Sequence, residues 1–258
     1  MQRRKKLIIA ILLVVLVGLL ASIYGALTAG PDLTQADSDI LILAADKYEQ
    51  SNGGVDMAFM IHLENGSFKN YTPIYPGGMT HPTQPASSAI GGGKMYLHDS
   101  LYDDLDKGMD YAKEIVEYNT NFTPDAVVVV YDEGVDRVID SIRPLEVDGV
   151  ETNLSAADII RENDAYNGYS SNAGVTGTMS RGDAVMVLVK ALAQAAANPD
   201  KKATMAQAAL KEYSNGNIVM KPEGSFTKLL ATKGIESIGG WSLKNSYSLK
   251  NFFLFLRL

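Results

Sequence analysis

Residues 126–131 read AVVVVY, and four successive valines decide the fold class. β-Branched side chains are poor helix formers and pack well on a pleated surface. The run has no polar alternation, so this strand is expected to be buried on both faces, at the centre of a sheet covered by helices. Working outward, residues 40–44 (ILILA) form a second short apolar run of the same kind. Residues 55–63 alternate partly and predict another strand. Glu64-Asn65-Gly66-Ser67 follows, and Asn-Gly is a strong hairpin signal, so residues 68–74 form the returning strand.

Helical spacing appears between the strands. Leu101, Leu105, Met109, Ala112, Ile115 and Val116 predict an amphipathic helix over 101–118. Shorter helices are expected at 134–142 and 155–163, the second capped by Ser155. A further helix opens at Ser180, where Ser180 and Asp183 have the spacing of a variant capping box. Others are expected at 204–214 and 223–233, and a strand at 145–150. Alternating strands and helices imply an α/β fold, a three-layer mixed sheet with flanking helices. Residues 75–93, rich in Gly, Pro, Ser and Thr, and residues 164–179, polar and Gly-rich, read as long loops. The first is expected at the mouth of a site, where its glycines and prolines suit a lid.

The N-terminus differs in kind. Arg3, Arg4, Lys5 and Lys6 precede residues 7–27, which carry no charge. About 20 apolar residues span a ~30 Å hydrocarbon core, and the basic cluster favours an N-inside orientation. The expected plan is a cytoplasmic segment 1–6, one transmembrane helix within 7–29, a linker 30–38, an extracytoplasmic α/β domain 39–240, and a tail 241–258 of unassigned role. A cleaved signal peptide is the competing reading, but the run exceeds the usual ~7–15 apolar residues. The implied location is the cell membrane, with the domain outside and the lipid bilayer as a partner.

Net charge is −7, divided as +4 over the first thirty residues and −11 over the rest. An acidic domain repels nucleic acid. Without cysteine there are no disulfides, thiolate nucleophiles or thiolate-bound metals. Four Asn-x-Ser/Thr sequons, at Asn65, Asn70, Asn121 and Asn153, suit an exported chain. There is no P-loop, no Gly-x-Ser-x-Gly and no His-Glu-x-x-His.

Chemistry is sought first at the strand ends. Asp46 closes the first strand and Asp56 opens the second, so the two carboxylates could share Mg2+ through oxygen ligands. Arg181 stands at a helix N-terminus, where free N–H groups and the helix dipole favour anions. Arg161 flanks the same Gly-rich loop, and its planar fork suits phosphate. Of the three histidines, His62 lies in a strand and reads as structural. His81 and His98 lie outside the regular elements and are candidates for substrate contacts or, with Asp99, for a metal site.

The order of these features resembles the LytR–CpsA–Psr family of envelope proteins over roughly residues 40–195. Ile40 to Asp46 is similar to that family's opening strand and acid. Val55-Asp56-Met57-Ala58-Phe59 resembles its Ser-Asp-Thr strand, and Met179-Ser180-Arg181 its later arginine turn. The resemblance implies a membrane-anchored glycopolymer phosphotransferase that takes a polyprenyl-pyrophosphate glycan to a cell-wall polymer. It implies Mg2+ as cofactor and Asp56 and Arg181 as catalytic residues. The family's Ile-Pro-Arg-Asp segment is absent, and Gly182-Asp183 replace the later arginine and glutamine. That loss leaves a non-catalytic envelope-binding or scaffold protein as the alternative. Residues 75–82 (YPGGMTHP), 97–103 (LHDSLYD) and 116–120 (VEYNT) more closely resemble an archaeal family, domain of unknown function 4012. No activity follows from that resemblance.

Overall fold

A computed structural model describes residues 37–74, 77–165 and 179–225, together with Leu33. The expected cytoplasmic segment, transmembrane helix and tail lie outside the described residues. So do most of the linker, most of the Gly-rich loop 164–179 and, from residue 226 on, the helix expected at 223–233. Among the described residues no helix is long and apolar enough to cross a membrane.

The fold is mixed α/β. Five strands make the main sheet: β1 (Ser38–Asp46), β2 (Gly54–Glu64), β3 (Ser67–Ile74), β6 (Ala126–Tyr131) and β9 (Ile218–Lys221), in the order β3-β2-β1-β6-β9. The two wholly apolar runs are neighbours: β1 and β6 pair in parallel, Ile40 opposite Ala126 through Ala45 opposite Tyr131. All other pairings in the sheet are antiparallel. The β2–β3 hairpin turns at Asn65 (φ 49°) and Gly66 (φ 67°), the left-handed pair that a two-residue hairpin of this kind requires.

Strand periodicity then sorts side chains into layers. Leu41, Leu43, Ala45, Val127, Val129 and Tyr131 pack against α1 (Leu105–Asn119) through its Met109, Ala112, Ile115 and Val116. Ile40, Ala126, Val128, Ile218 and Met220 pack on the opposite face, where α5 (Pro199–Ser214) brings Ala209 and Tyr213. On that face α4 (Arg181–Ala197) lays Val185 and Met186 on Phe59. A second core joins α2 (Asp132–Asp140), α3 (Ala156–Asn163) and α4 through Ile139, Ile159 and Leu188.

Helix starts follow side-chain capping. Ser155 Oγ accepts from Asp158 N at 3.1 Å, and Ser180 Oγ accepts from Asp183 N at 3.2 Å while donating to the Asp183 carboxylate at 2.7 Å. Helix α1 begins at Leu105, later than the apolar spacing suggests, because Asp104 accepts from Lys107 N at 2.9 Å and serves as N-cap. Helix α5 begins earlier than expected, with Asn198 as cap and Pro199 in the first turn.

Three expectations are corrected. Residues 75–93 are not one irregular loop. They contain β4 (Thr80–Pro85), which pairs with β5 (Lys94–Tyr96), and a 3-10 turn at Ser88–Ile90. Residues 145–150 are not one strand. Asp148 (φ 48°) and Gly149 (φ 82°) fold them back, so β7 (Leu145–Val147) pairs with β8 (Val150–Thr152). Strand β9 was not expected, because four residues after Asn215-Gly216-Asn217 carry too little periodicity to read.

Two contacts fasten α1. An added Cβ at Gly108 would lie 2.6 Å from Ser100 O and 2.7 Å from Leu101 Cα, both backbone. Gly108→Ala is therefore predicted to destabilise by about 1–3 kcal/mol through overpacking, although alanine favours helix by about 1 kcal/mol. Denaturant melts of the two chains check this.

From β9, Lys221 Nζ donates to Asp106 Oδ2 at 2.8 Å and Asp110 Oδ2 at 2.7 Å. Partial burial pulls its pKa down, but these hydrogen bonds outweigh it and leave the pKa above the ordinary 10.5. Because the folded pKa is raised, the stabilisation is complete below the ordinary value and is lost as pH rises through the folded one. Lys221→Met should cost about 1 kcal/mol near neutrality, since the two carboxylates are well exposed. The gap between variant and wild type should close in melts above about pH 10.5.

Candidate functional site

Chemistry-bearing side chains gather where β1 leaves the sheet and β2 enters it. The register places Ala44 opposite Met57 but Ala45 opposite Val55, so Asp56 is the extra residue of a β-bulge. Bulges re-aim side chains without ending a strand. Here Asp56 lies with Glu49, from the β1–β2 turn, and His98, from the 3-10 turn Leu97–Asp99. One potential ligand atom from each residue lies within 4.8 Å of the others.

The surrounding bonds hold this geometry. His98 Nδ1 is 3.1 Å from Val55 O, which can only accept, so Nδ1 carries the proton and Nε2 faces the site. His98 Nε2 is 3.7 Å from Glu49 Oε1. Gly54 makes the approach possible: an added Cβ there would lie 2.7 Å from His98 Cε1 and 2.8 Å from Glu49 Oε2.

The turn that carries Glu49 is tied on several sides. Gln50 Nε2 donates to Asp99 Oδ1 at 3.1 Å, and Asn52 Nδ2 donates to Tyr102 O at 2.9 Å. Tyr131 OH, at the end of β6, donates to Asn52 O at 2.7 Å. Burial pushes the Tyr131 phenol above its usual pKa, so it remains a donor throughout the neutral range. Tyr48 OH donates to Glu133 Oε1 at 2.5 Å; this bond holds the Glu133 carboxyl below its usual range. The same bond to Glu133 raises Tyr48. Lys47 donates to Asn217 at 2.9 Å and lies 3.6 Å from Glu133.

The sequence candidates distribute unevenly over this site. Asp56 and His98 come together, with Glu49 as the unforeseen third member. Asp46 is outside the cluster, and its Oδ1 accepts from Tyr48 N at 2.9 Å, closing the turn. His81 is buried elsewhere, between the β4–β5 hairpin and α1. Its Nδ1 accepts from Thr83 N and Gln84 N at 3.1 and 2.8 Å, and its Nε2 donates to Glu114 at 2.7 Å. Asp99 holds Gln50. Arg161 stands exposed on α3, 3.6 Å from Asp158. Arg181 is the first residue of α4. A cleft of about 500 Å³ lies beside that helix, lined by Tyr71, Pro73, Met179, Asp183, Met186, Val187 and Lys190.

Residues 35–166 match the family described as Protein of unknown function (DUF4012), just over half of the chain. The chain belongs to the DUF4012 family. Glu49, Asp56 and His98 all fall within the matched region, whereas α4, α5 and β9 lie beyond it. No curated protein matches the sequence. Solved structures of similar fold include protein gbs0355 from Streptococcus agalactiae, at 11% identity and TM-score 0.51, covering 78% of this chain and 74% of that one. A transcriptional regulator from Enterococcus faecalis is similar at 10% identity and TM-score 0.50, with 81% and 75% covered. TagT bound to LI-WTA matches more loosely, at 14% identity and TM-score 0.44, with 78% and 77% covered. At these identities the likeness is one of fold.

Tyr131→Phe removes the donor that holds the β1–β2 turn while keeping the ring. The expected cost is about 1 kcal/mol, the usual net worth of such a bond. Hydrogen exchange should also quicken at Gly53 N–H, which donates to Gln50 O at 3.2 Å. Unchanged exchange at Gly53 would mean that the tyrosine does not hold the turn.

Proposed function

We propose that this chain works at the outer face of a cell envelope in the manner of LytR–CpsA–Psr proteins. On this reading it binds a lipid-linked (polyprenyl-pyrophosphate) glycan, or a wall polymer, at the end of the sheet that carries Asp56. The observation that carries the reading is the bulge at Asp56. It holds the acid that resembles the family's metal-linked aspartate in a cluster open to solvent, within hydrogen-bonded surroundings.

Two further features support it. The basic segment followed by an uncharged apolar run suits a single-pass anchor with the domain outside. The cleft beside α4 offers apolar walls from Tyr71, Pro73, Met186 and Val187, a surface suited to an isoprenoid chain.

Arg161 favours binding over transfer. It pairs with Asp158 on α3, outside the Asp56 cluster, and the family's Ile-Pro-Arg-Asp segment is missing. A pyrophosphate leaving group needs cationic stabilisation as its bond breaks. We therefore place a non-catalytic envelope-binding role beside phosphotransferase action, and turnover with a wall-polymer acceptor separates the two.

The test uses the purified full-length chain and a polyprenyl-pyrophosphate glycan. Asp56→Ala should weaken binding tenfold or more, about 1.4 kcal/mol. Equal affinity in the variant would remove Asp56, and with it the proposed site.

A further inference from the structure

The resemblance implies Mg2+, but the donor set at Asp56 does not fit it well. Mg2+ takes oxygen ligands in near-ideal octahedra and keeps several waters. Here one of three converging side chains is an imidazole. Imidazole nitrogen suits Zn, Cu, Fe or Ni, whereas Mg2+ prefers carboxylate, carbonyl and water oxygens. We infer that Glu49, Asp56 and His98 form a three-ligand site for a first-row transition metal, with its remaining positions open. This inference rests on the same site as the function proposed above and changes the chemistry expected there.

Three observations beyond the clustering of the acids carry it. First, the His98 ring is set as a metal-binding histidine must be. Its Nδ1–H donates to Val55 O, which fixes the tautomer and turns Nε2 toward Glu49. Second, the backbone makes room. Glycine at 54 leaves His98 Cε1 and Glu49 Oε2 in place, whereas an added Cβ would meet them at 2.7 and 2.8 Å and displace them. Third, the two turns that bear the ligands are joined directly, Gln50 Nε2 to Asp99 Oδ1. The turns that carry Glu49 and His98 are thus tied by Gln50 and Asp99 and by His98 Nδ1, none of them a ligating atom. Glu49 and Asp56 are exposed and His98 is partly so, which leaves solvent or a ligand phosphate access to an ion held between them. Two carboxylates and one neutral imidazole would leave a divalent ion formally neutral, able to accept a further anionic oxygen.

The experiment uses full-length chain stripped with chelator and titrated separately with Co2+, Zn2+ and Mg2+, without glycan. Co2+ reports its own ligands through visible absorption. The expected result is one Co2+ or Zn2+ per chain, with absorption that shows a nitrogen ligand. His98→Gln should weaken Co2+ binding at least tenfold and alter the spectrum, yet leave any Mg2+ affinity nearly unchanged. Gly54→Ala should weaken Co2+ binding while retaining all three ligands, which separates site geometry from ligand loss. Thermal melts of the apo variants show whether each is folded, and Glu49→Gln substitutes for any that is not. Unchanged Co2+ affinity and spectrum in His98→Gln, or Mg2+ binding as tight as Co2+, would overturn the inference. Metal bound without glycan affinity would sink the proposed function and leave the metal site standing. Glycan bound without any transition metal would do the reverse.

Discussion

Strands β1 and β6 have no polar face, and neither can stand at the edge of a sheet or against solvent. Their parallel pairing buries Leu41, Leu43, Val127 and Val129 under α1, and Ile40, Ala126 and Val128 under the opposite layer. Each such leucine, isoleucine or valine contributes about 1.5–3 kcal/mol on full burial. A parallel pair also needs a long connection. The chain between β1 and β6 supplies the β2–β3 hairpin, the β4–β5 hairpin and α1. The site is made from that connection: Glu49, Asp56 and His98 all belong to it.

The site is built by local departures from regularity laid on this rigid frame. Without the bulge between Ala44 and Ala45, β2 would pair with β1 without interruption and Asp56 would have no separate aim. A Cβ at position 54 would force His98 and Glu49 to shift from their present places. The β1–β2 turn is held by Tyr131, Asp99, Tyr102 and Glu133, residues from two stretches of the chain, 99–102 and 131–133. Such convergence has a physical cost in ordered side chains. It is what a fixed binding geometry requires.

Much of the frame is legible in the sequence because it rests on periodicity. The valine run, the Asn65-Gly66 turn and the Ser155 and Ser180 caps each announce themselves within a few residues. Strand β9 does not, since Ile218 to Lys221 is a strand only because β6 offers it an edge. The β4–β5 hairpin hides for a similar reason. Pro82 and Pro85 break its pattern, and His81 is buried by Glu114 and Tyr111 on α1, a partner distant in sequence. Within the site, Asp56 and His98 stand out as residue types at strand and helix boundaries. Glu49 does not, because nothing local marks it. Its place depends on a register shift and on the space above one glycine.

On the proposal above, Glu49 from a turn, Asp56 from a β-bulge and His98 from a 3-10 turn converge on one ion. Anomalous diffraction from crystals of the full-length chain grown with Mn2+ or Zn2+ tests it most directly. A single strong peak bonded to His98 Nε2 and to carboxylate oxygens of Glu49 and Asp56 is the predicted result. A peak at His62 and Asp39, another histidine–carboxylate contact among the described residues, or no peak between Glu49, Asp56 and His98, would contradict it.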